Sequence, residues 1–101
     1  MIARTWRSRA TPQNALAYVK HFTAKVVPAL EALPGHRGAT LVQREVDGDV
    51  EVVALTLWES RASIQAFAGE DIARAHVEPE ALAVLDSFDD FADHSKVAYG
   101  D

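Results

Sequence analysis

Four histidines are the side chains of this chain best suited to proton transfer: His21, His36, His76 and His94. An imidazole ordinarily has a pKa near 6.5, so it can accept or release a proton at cellular pH. His76 lies between two predicted helical segments, where a helical layer would border a cavity against a sheet. His94 lies on a predicted last strand and faces either the helices or a partner. His76 and His94 are therefore the candidate catalytic residues.

The other two histidines are expected at the surface. His21 lies opposite the apolar stripe of the first predicted helix, which is the side that normally faces water. His36 lies in a turn directly after Pro34 and Gly35, and a histidine in a loop is usually exposed. Neither position indicates a role in chemistry.

Large aromatic residues are the candidate substrate-binding residues: Trp58, Phe67, Phe22 and Trp6. Aromatic side chains either pack a core or line a pocket for a flat ligand, and the sequence leaves both alternatives open. Trp6 is the weakest of the four because Arg4 lies on the same face of its strand, and that face could belong to a dimer contact instead. Tyr18 could complete the wall.

Composition excludes several kinds of site. The chain has no cysteine, so disulfides, thiolate metal sites and thiol nucleophiles are absent. Its five glycines are scattered at turns and form no phosphate-binding loop. It contains no His-x-x-x-His pair, and its acidic run is expected on a solvated face (Asp86, Asp89, Asp90 and Asp93). The sequence therefore predicts no metal site and no bound cofactor.

Charge and hydropathy set the expected partners and location. A net charge of −5 and a pI near 5.2 argue against nucleic acid or an anionic membrane as the main partner. No apolar run approaches the roughly 20 residues of a membrane span. The N-terminus lacks the apolar core of a signal peptide. We expect a cytoplasmic protein that binds a small hydrophobic molecule.

The first half of the chain predicts a strand, a helix and a hairpin. Residues 2–8 form the strand, and Thr11 with Pro12 begins the helix as N-cap and first helical residue. Pro28 should kink or restart the helix. A second strand covers residues 38–46 and ends at the Asp47-Gly48 hairpin signal. The helix carries one predicted apolar stripe: Leu16, Val19, Phe22, Val26, Leu30 and Leu33.

The second half begins with a strand, residues 50–60, that has apolar side chains on both faces. A short helix follows, capped by Ser60, carrying Ile64 and Phe67 inward and closed by Gly69. Residues 70–77 are expected to add one or two helical turns. Pro79 begins a last helical segment with Leu82 and Leu85 inward. The final strand is predicted over residues 91–99.

The order β-α-β-β-α-β over residues 1–101 predicts a single α+β domain with a ferredoxin-like, four-stranded antiparallel sheet. Right-handed crossovers place the first and third strands side by side at its centre. The helices of one small domain can cover only one sheet face. Since the third strand is apolar on both faces, we expect a second copy of the chain to cover the other, giving a homodimer.

Several short segments of the sequence resemble those of a known family. The strand end Leu55-Thr56-Leu57-Trp58-Glu59-Ser60 and the segment Ile64-Gln65-Ala66-Phe67-Ala68-Gly69-Glu70-Asp71 resemble the antibiotic-biosynthesis-monooxygenase-like family. Ala75, Pro79-Glu80 and His94 also occur where such proteins commonly have them, so the likeness covers nearly the whole chain. The resemblance implies the dimeric α+β barrel fold. It also implies a cofactor-independent monooxygenase that acts on a small hydrophobic or aromatic, phenol- or quinol-like metabolite.

Two alternatives to this enzyme stay open at this point. The haem-degrading branch of the family uses an Asn in the first strand, a Trp in the second helix and a His shortly after it. This chain has Trp6 without an Asn, has Phe67 in place of the Trp, and offers His76 near the expected His. A haem-binding or haem-degrading protein with His76 as axial ligand is therefore one alternative. The other is a non-catalytic dimeric module that binds a ligand.

Overall fold

An antiparallel sheet with helices on one face forms the fold, and the computed structural model describes residues 1–100. The strands follow the order β2-β3-β1-β4, and β5 also pairs with β1. This arrangement confirms the ferredoxin-like prediction with the first and third strands at the centre. The fourth position in the sheet is divided between two short strands, where the sequence predicted one strand over residues 91–99. The strands are β1 Ile2–Ala10, β2 His36–Val46, β3 Asp49–Trp58, β4 Ser87–Phe88 and β5 Asp93–Lys96.

Four α-helices and one π-helical turn connect these strands: α1 Pro12–His21, the π turn Phe22–Val26, α2 Val27–Glu31, α3 Arg61–Ala68 and α4 Pro79–Leu82. The predicted starts of α1 and α3 are confirmed. The Thr11 hydroxyl accepts a hydrogen bond from the Asn14 N–H at 3.2 Å. Ser60 and Ser63 form a reciprocal capping box at the start of α3, and Gly69 caps its end.

The π turn changes which side of the first helix is buried. The Val27 N–H donates to the Phe22 carbonyl, five residues back, just before Pro28, which has no N–H to donate. A π turn takes about one extra residue, so the inward face upstream of it is shifted along the chain. Leu16, predicted inward, is 57% exposed. The buried positions are Ala15, Tyr18, Phe22, Val26 and Leu30.

The segment between α3 and α4 is not helical, which corrects the prediction for residues 70–77. Its backbone pairs with the segment before β5: the Ala75 N–H donates to the Asp90 carbonyl at 2.9 Å, and the Ala92 N–H donates to the Ala73 carbonyl at 2.7 Å. These bonds satisfy the backbone groups that a helix would otherwise pair internally. In α4 the inward residue is Ala81, whereas Leu82, predicted inward, is 49% exposed.

Two turns position the hairpin and the start of α3. Asp47 and Gly48 both have positive φ, as expected for the predicted two-residue hairpin turn between β2 and β3. At Gly35, φ is +85° and a Cβ would lie 2.5 Å from the Ser63 Cβ. Glycine therefore lets the α2–β2 turn pack against the start of α3. β2 begins at His36, two residues earlier than predicted, with a register shift before Gly38.

Register decides which side chains face the helices. Trp6 pairs with Ala54 and Arg4 with Thr56, so the even positions of β1 and β3 share the helix-covered face. Val53, Leu55 and Leu57 point to the opposite face, and no helix within residues 1–100 packs there. No helix in this part of the chain is both long and apolar enough to cross a membrane.

Candidate active site

A cavity lies between the helix-covered face of the sheet and the helical layer. Its floor comes from even positions of β1 and β3, and its other side comes from α1 and the π turn. The end of α3 and the segment before α4 form its rim. The free space between the lining atoms is about 570 Å³ including the open mouth, but the centre of a water-sized molecule reaches only about 50 Å³ of it. The cavity is therefore a narrow cleft.

Three of the four predicted substrate-binding aromatics line this cleft: Trp6, Phe22 and Phe67. Trp6 is held in place from its polar edge, since its Nε1 donates to the Asp89 carbonyl at 2.7 Å. The structure places the face of β1 that carries Trp6 and Arg4 under the helices, not at the exposed sheet face. A role for these rings in binding a substrate stays a prediction.

Trp58 does not line the cleft. Its side chain is completely buried, and its Nε1 donates to the Thr56 hydroxyl at 2.8 Å. Its ring centroid lies 6.1 Å from that of Phe67, and the His36 ring packs edge-on against it at 5.1 Å. Trp58 therefore supports Phe67 from behind, which is the packing alternative considered for it in the sequence.

The two histidines that reach the cleft are His76, as expected, and His21, which was expected at the surface. His76 is exposed at the rim, and its ring meets the Phe67 ring edge-on at a centroid distance of 5.3 Å. His21 lies at the end of α1, with only 10% of its side chain exposed. The shift of the helix face by the π turn accounts for its inward position.

His21 is paired with a carboxylate. Its Nε2 lies 3.6 Å from Glu78 Oε2, and this Nε2 is buried without a hydrogen-bond partner. A carboxylate beside an imidazole stabilises the imidazolium that forms when the ring takes a proton. The pair therefore has the composition of a general base with a supporting carboxylate.

His94 and His36 lie outside the cleft. His94 is on β5 opposite Arg4 in register, half-buried, and does not line the cavity. Burial, followed by the positive charges of Arg4 and Arg61, lowers the pKa of His94, while Asp93 acts in the opposite direction. Burial also lowers the pKa of His36. Both rings are therefore held toward their neutral form.

Two further polar side chains lie in the cleft: Tyr18, which the sequence offered as an addition to the aromatic wall, and Arg4, which was not among the predicted site residues. Tyr18 is 3% exposed, and burial raises the pKa of its phenol to about 12, so it stays a neutral donor at cellular pH. Arg4 is 6% exposed and lies over the Phe67 ring at 5.5 Å. Arg74, by contrast, is exposed and lies over the Phe91 ring.

One group of side chains near the rim has the composition of a metal-ligand set. The ligand atoms of His21, Glu78 and Glu80 all lie within 4.8 Å of one another. An imidazole with two carboxylates suits a divalent transition metal. Glu80 is exposed and Glu78 is one-third exposed, so the set is open to solvent on its carboxylate side.

Comparison with known proteins adds a family and several similar folds. The family model for antibiotic biosynthesis monooxygenase matches residues 1–79. No curated protein matches the chain. A Bacillus cereus protein assigned to these monooxygenases has a similar structure, with a TM-score of 0.68 and 19% identity over 99% of this chain and 95% of its own. A second, from Chloroflexus aurantiacus, has a TM-score of 0.65 and 18% identity over 99% of this chain and 95% of its own.

A third similar structure is a haem degrader from Mycobacterium tuberculosis, solved with two haems in its active site. Its TM-score is 0.62 at 22% identity, over 99% of this chain and 98% of its own. At these levels of identity the structures establish a shared fold. Because the family model covers more than half of the sequence, the chain belongs to the antibiotic biosynthesis monooxygenase family.

Proposed function

We propose that this protein is a cofactor-independent monooxygenase acting on a small aromatic metabolite of the phenol or quinol type. The observation that carries the proposal is the cleft itself, in which Trp6, Phe22 and Phe67 surround a space that two imidazoles enter. With its rim open, such a site can hold a flat ring away from water and remove a proton from it. Membership of the monooxygenase family supports the same reading.

The proposed reaction needs only a base, a dry pocket and molecular oxygen. The base removes the phenolic proton, and the phenolate then transfers one electron to O₂. The resulting superoxide and phenoxyl radical combine at a ring carbon to give a peroxide. Its O–O bond then breaks, and one oxygen stays on that carbon as a carbonyl. The other oxygen leaves as water, together with the hydrogen of that ring carbon and the phenolic proton returned by the base. Exclusion of water favours this sequence because it protects the peroxide from side reactions.

Two cavity histidines are proposed for the proton transfer. His76 is the residue that the sequence favours, and its contact with Phe67 places it at the mouth. His21 is the more strongly supported of the two, because it is buried and has Glu78 beside it. His94 is the weaker candidate, since it lies outside the cleft. Tyr18 is proposed to donate a hydrogen bond to the developing oxyanion.

Oxygen uptake in the presence of phenols, hydroquinones and anthrone-type substrates tests the proposal. We expect at least one of these compounds to consume oxygen in a protein-dependent manner without added flavin, haem or metal, and chelator should not change the rate. The product should carry one atom of ¹⁸O from labelled O₂. No uptake with any substrate would favour the alternative of a non-catalytic ligand-binding module.

We also propose that the protein is a homodimer paired through its open sheet face. Val53, Leu55 and Leu57 form an apolar row on that face, and Val42 on β2 extends it with 56% of its surface exposed. A single chain leaves this row partly exposed to water. Burying it against a second copy stabilises the dimer by about 25 cal/mol per Å² of apolar area removed from water. Light scattering at micromolar concentration should give twice the chain mass.

A charge on the open sheet face should break this dimer. Leu55→Asp should give a folded monomer or a chain that no longer folds, because its carboxylate would be buried at the contact. The matched control is Leu16→Asp, at an exposed leucine on the outer side of α1, and it should remain dimeric. A wild-type monomer that is stable at micromolar concentration would contradict the proposal.

The second candidate function, haem binding, is favoured only by His76 at the cavity mouth, beside Phe67. The cleft does not fit a haem. The part of it that the centre of a water molecule can reach has a volume of about 50 Å³, whereas ordinary ligand sites have roughly 300–1,000 Å³. A single aromatic ring requires the rim to open, whereas a macrocycle requires the helical layer to move. We expect no Soret shift at stoichiometric haem, and a shift lost in His76→Ala would reverse this order of preference.

A further inference from the structure

Arg4 is a buried positive charge in a cleft that is otherwise mostly apolar. Only 6% of the residue is exposed, and its side chain lies on the helix-covered face of β1 among the cavity-lining residues. Its Nη2 donates to the carbonyls of Ile72 and Arg74, at 3.4 Å each. Its guanidinium carbon lies 5.5 Å from the centroid of the Phe67 ring. The charge is therefore held in a fixed position beside an aromatic wall.

This charge has no counter-ion within residues 1–100. No carboxylate in that part of the chain forms an ion pair with Arg4, its Nε is buried without a hydrogen-bond partner, and its Nη1 makes no hydrogen bond there. Burial lowers the pKa of Arg4, but a guanidinium keeps its charge in proteins. Burying an unpaired charge costs free energy, and an anion from outside would offset that cost.

The neighbours of Arg4 do not supply this negative charge. His94, its partner on β5, is held toward the neutral form by burial and by Arg4 itself. Glu78 is the one carboxylate among the lining residues of the described chain. It is one-third exposed and lies against His21, so its charge is directed to the imidazole and to solvent.

We propose that Arg4 binds the carboxylate of an aromatic acid, so that the ligand class of this cleft is an aromatic carboxylate. Its Nη1 carries N–H groups that make no hydrogen bond in the described chain, and an arginine N–H that donates to a carboxylate oxygen forms a strong, charge-assisted hydrogen bond. The ring of the ligand then packs on Phe67 and its neighbours. The proposal rests on the cleft being the functional site proposed above, and it narrows the metabolite from any phenol to one that carries an acid.

Benzoate and benzamide are the matched probes for this proposal, because they differ in charge and little in size. Isothermal titration of the wild-type protein at pH 7.5 should show benzoate binding about tenfold or more tightly than benzamide, as expected for a hydrogen bond to a charged group. Arg4→Met should remove this preference, and Arg4→Lys should retain part of it. Equal affinity of the two probes for the wild-type protein, or no benzoate binding at millimolar concentration, overturns the proposal.

Arg7→Met is the control, since Arg7 lies on the same strand but on the open face, half exposed and 3.7 Å from Asp93. It should keep the preference for benzoate; loss of the preference there would mean that overall charge, not Arg4, sets it, and would overturn the proposal. If Arg4 served only to fasten residues 72–74 to β1, the wild-type protein would not distinguish acid from amide. A preference for benzoate without turnover of any substrate would contradict the proposed monooxygenase and support the anion site at Arg4. Turnover of neutral phenols without that preference would support the monooxygenase and contradict the anion site.

Discussion

Replacing His21 with alanine should lower the turnover number of the proposed oxygenation by about 10²- to 10⁴-fold, the usual contribution of a general base. The residue is 90% buried at the cavity, and Glu78 lies 3.6 Å from its Nε2. When His21 takes the phenolic proton, the carboxylate stabilises the imidazolium. The measurement is oxygen uptake under substrate saturation, with the best substrate from the screen.

Three companion variants test the assignment of the base to His21. Glu78→Gln should also lower turnover, by less than His21→Ala, because the imidazole remains but loses its supporting charge. His36→Gln, on β2 outside the cleft, should leave turnover unchanged and controls for the loss of an imidazole as such. If His76→Ala lowers turnover by the larger factor and His21→Ala does not, the base is at the mouth, as the sequence indicates.

The arrangement of strands could be predicted from the sequence because local signals and register agree there. Strand β3 has apolar side chains on both faces and follows the Asp47-Gly48 turn, and these two features predict its place at the centre of the sheet. The segment 70–77 could not be predicted in the same way. Its backbone forms hydrogen bonds with residues 90–92. A local sequence pattern cannot predict pairing with a segment that lies so much later in the chain.

The sequence predicted only some of the residues of the site. The errors in that prediction have two physical causes. The phase of the first helix depends on the π turn before Pro28, and a strict 3.6-residue period therefore placed Leu16 inward and His21 outward. Arg4 was missed as a site residue because its charge suggested that this face of the first strand belongs to a dimer contact. The available signal was parity: Arg4 shares its face with Trp6, whose partner Ala54 shares its face with Trp58.

Replacing Trp58 with alanine should destabilise the protein by about 3–5 kcal/mol, the range for removing a large buried aromatic. The side chain is completely buried between His36 and Phe67. Its loss would leave a cavity and would also remove the donor that satisfies the Thr56 hydroxyl, which is 7% exposed. The free energy of unfolding comes from denaturant titration at fixed protein concentration, since a dimer makes the midpoint depend on concentration.

Trp58→Phe is the variant that separates packing from ligand binding. It keeps most of the ring and loses only the hydrogen bond, so the destabilisation should fall to about 1–3 kcal/mol. Trp58 lies behind Phe67 and does not line the cleft. The Trp58→Phe variant should therefore bind benzoate with the affinity of the wild-type protein. Phe67→Leu, at the cavity surface, should weaken benzoate binding instead. A Trp58→Phe variant of nearly wild-type stability that loses benzoate affinity would show that the indole contacts the ligand, as the sequence predicts.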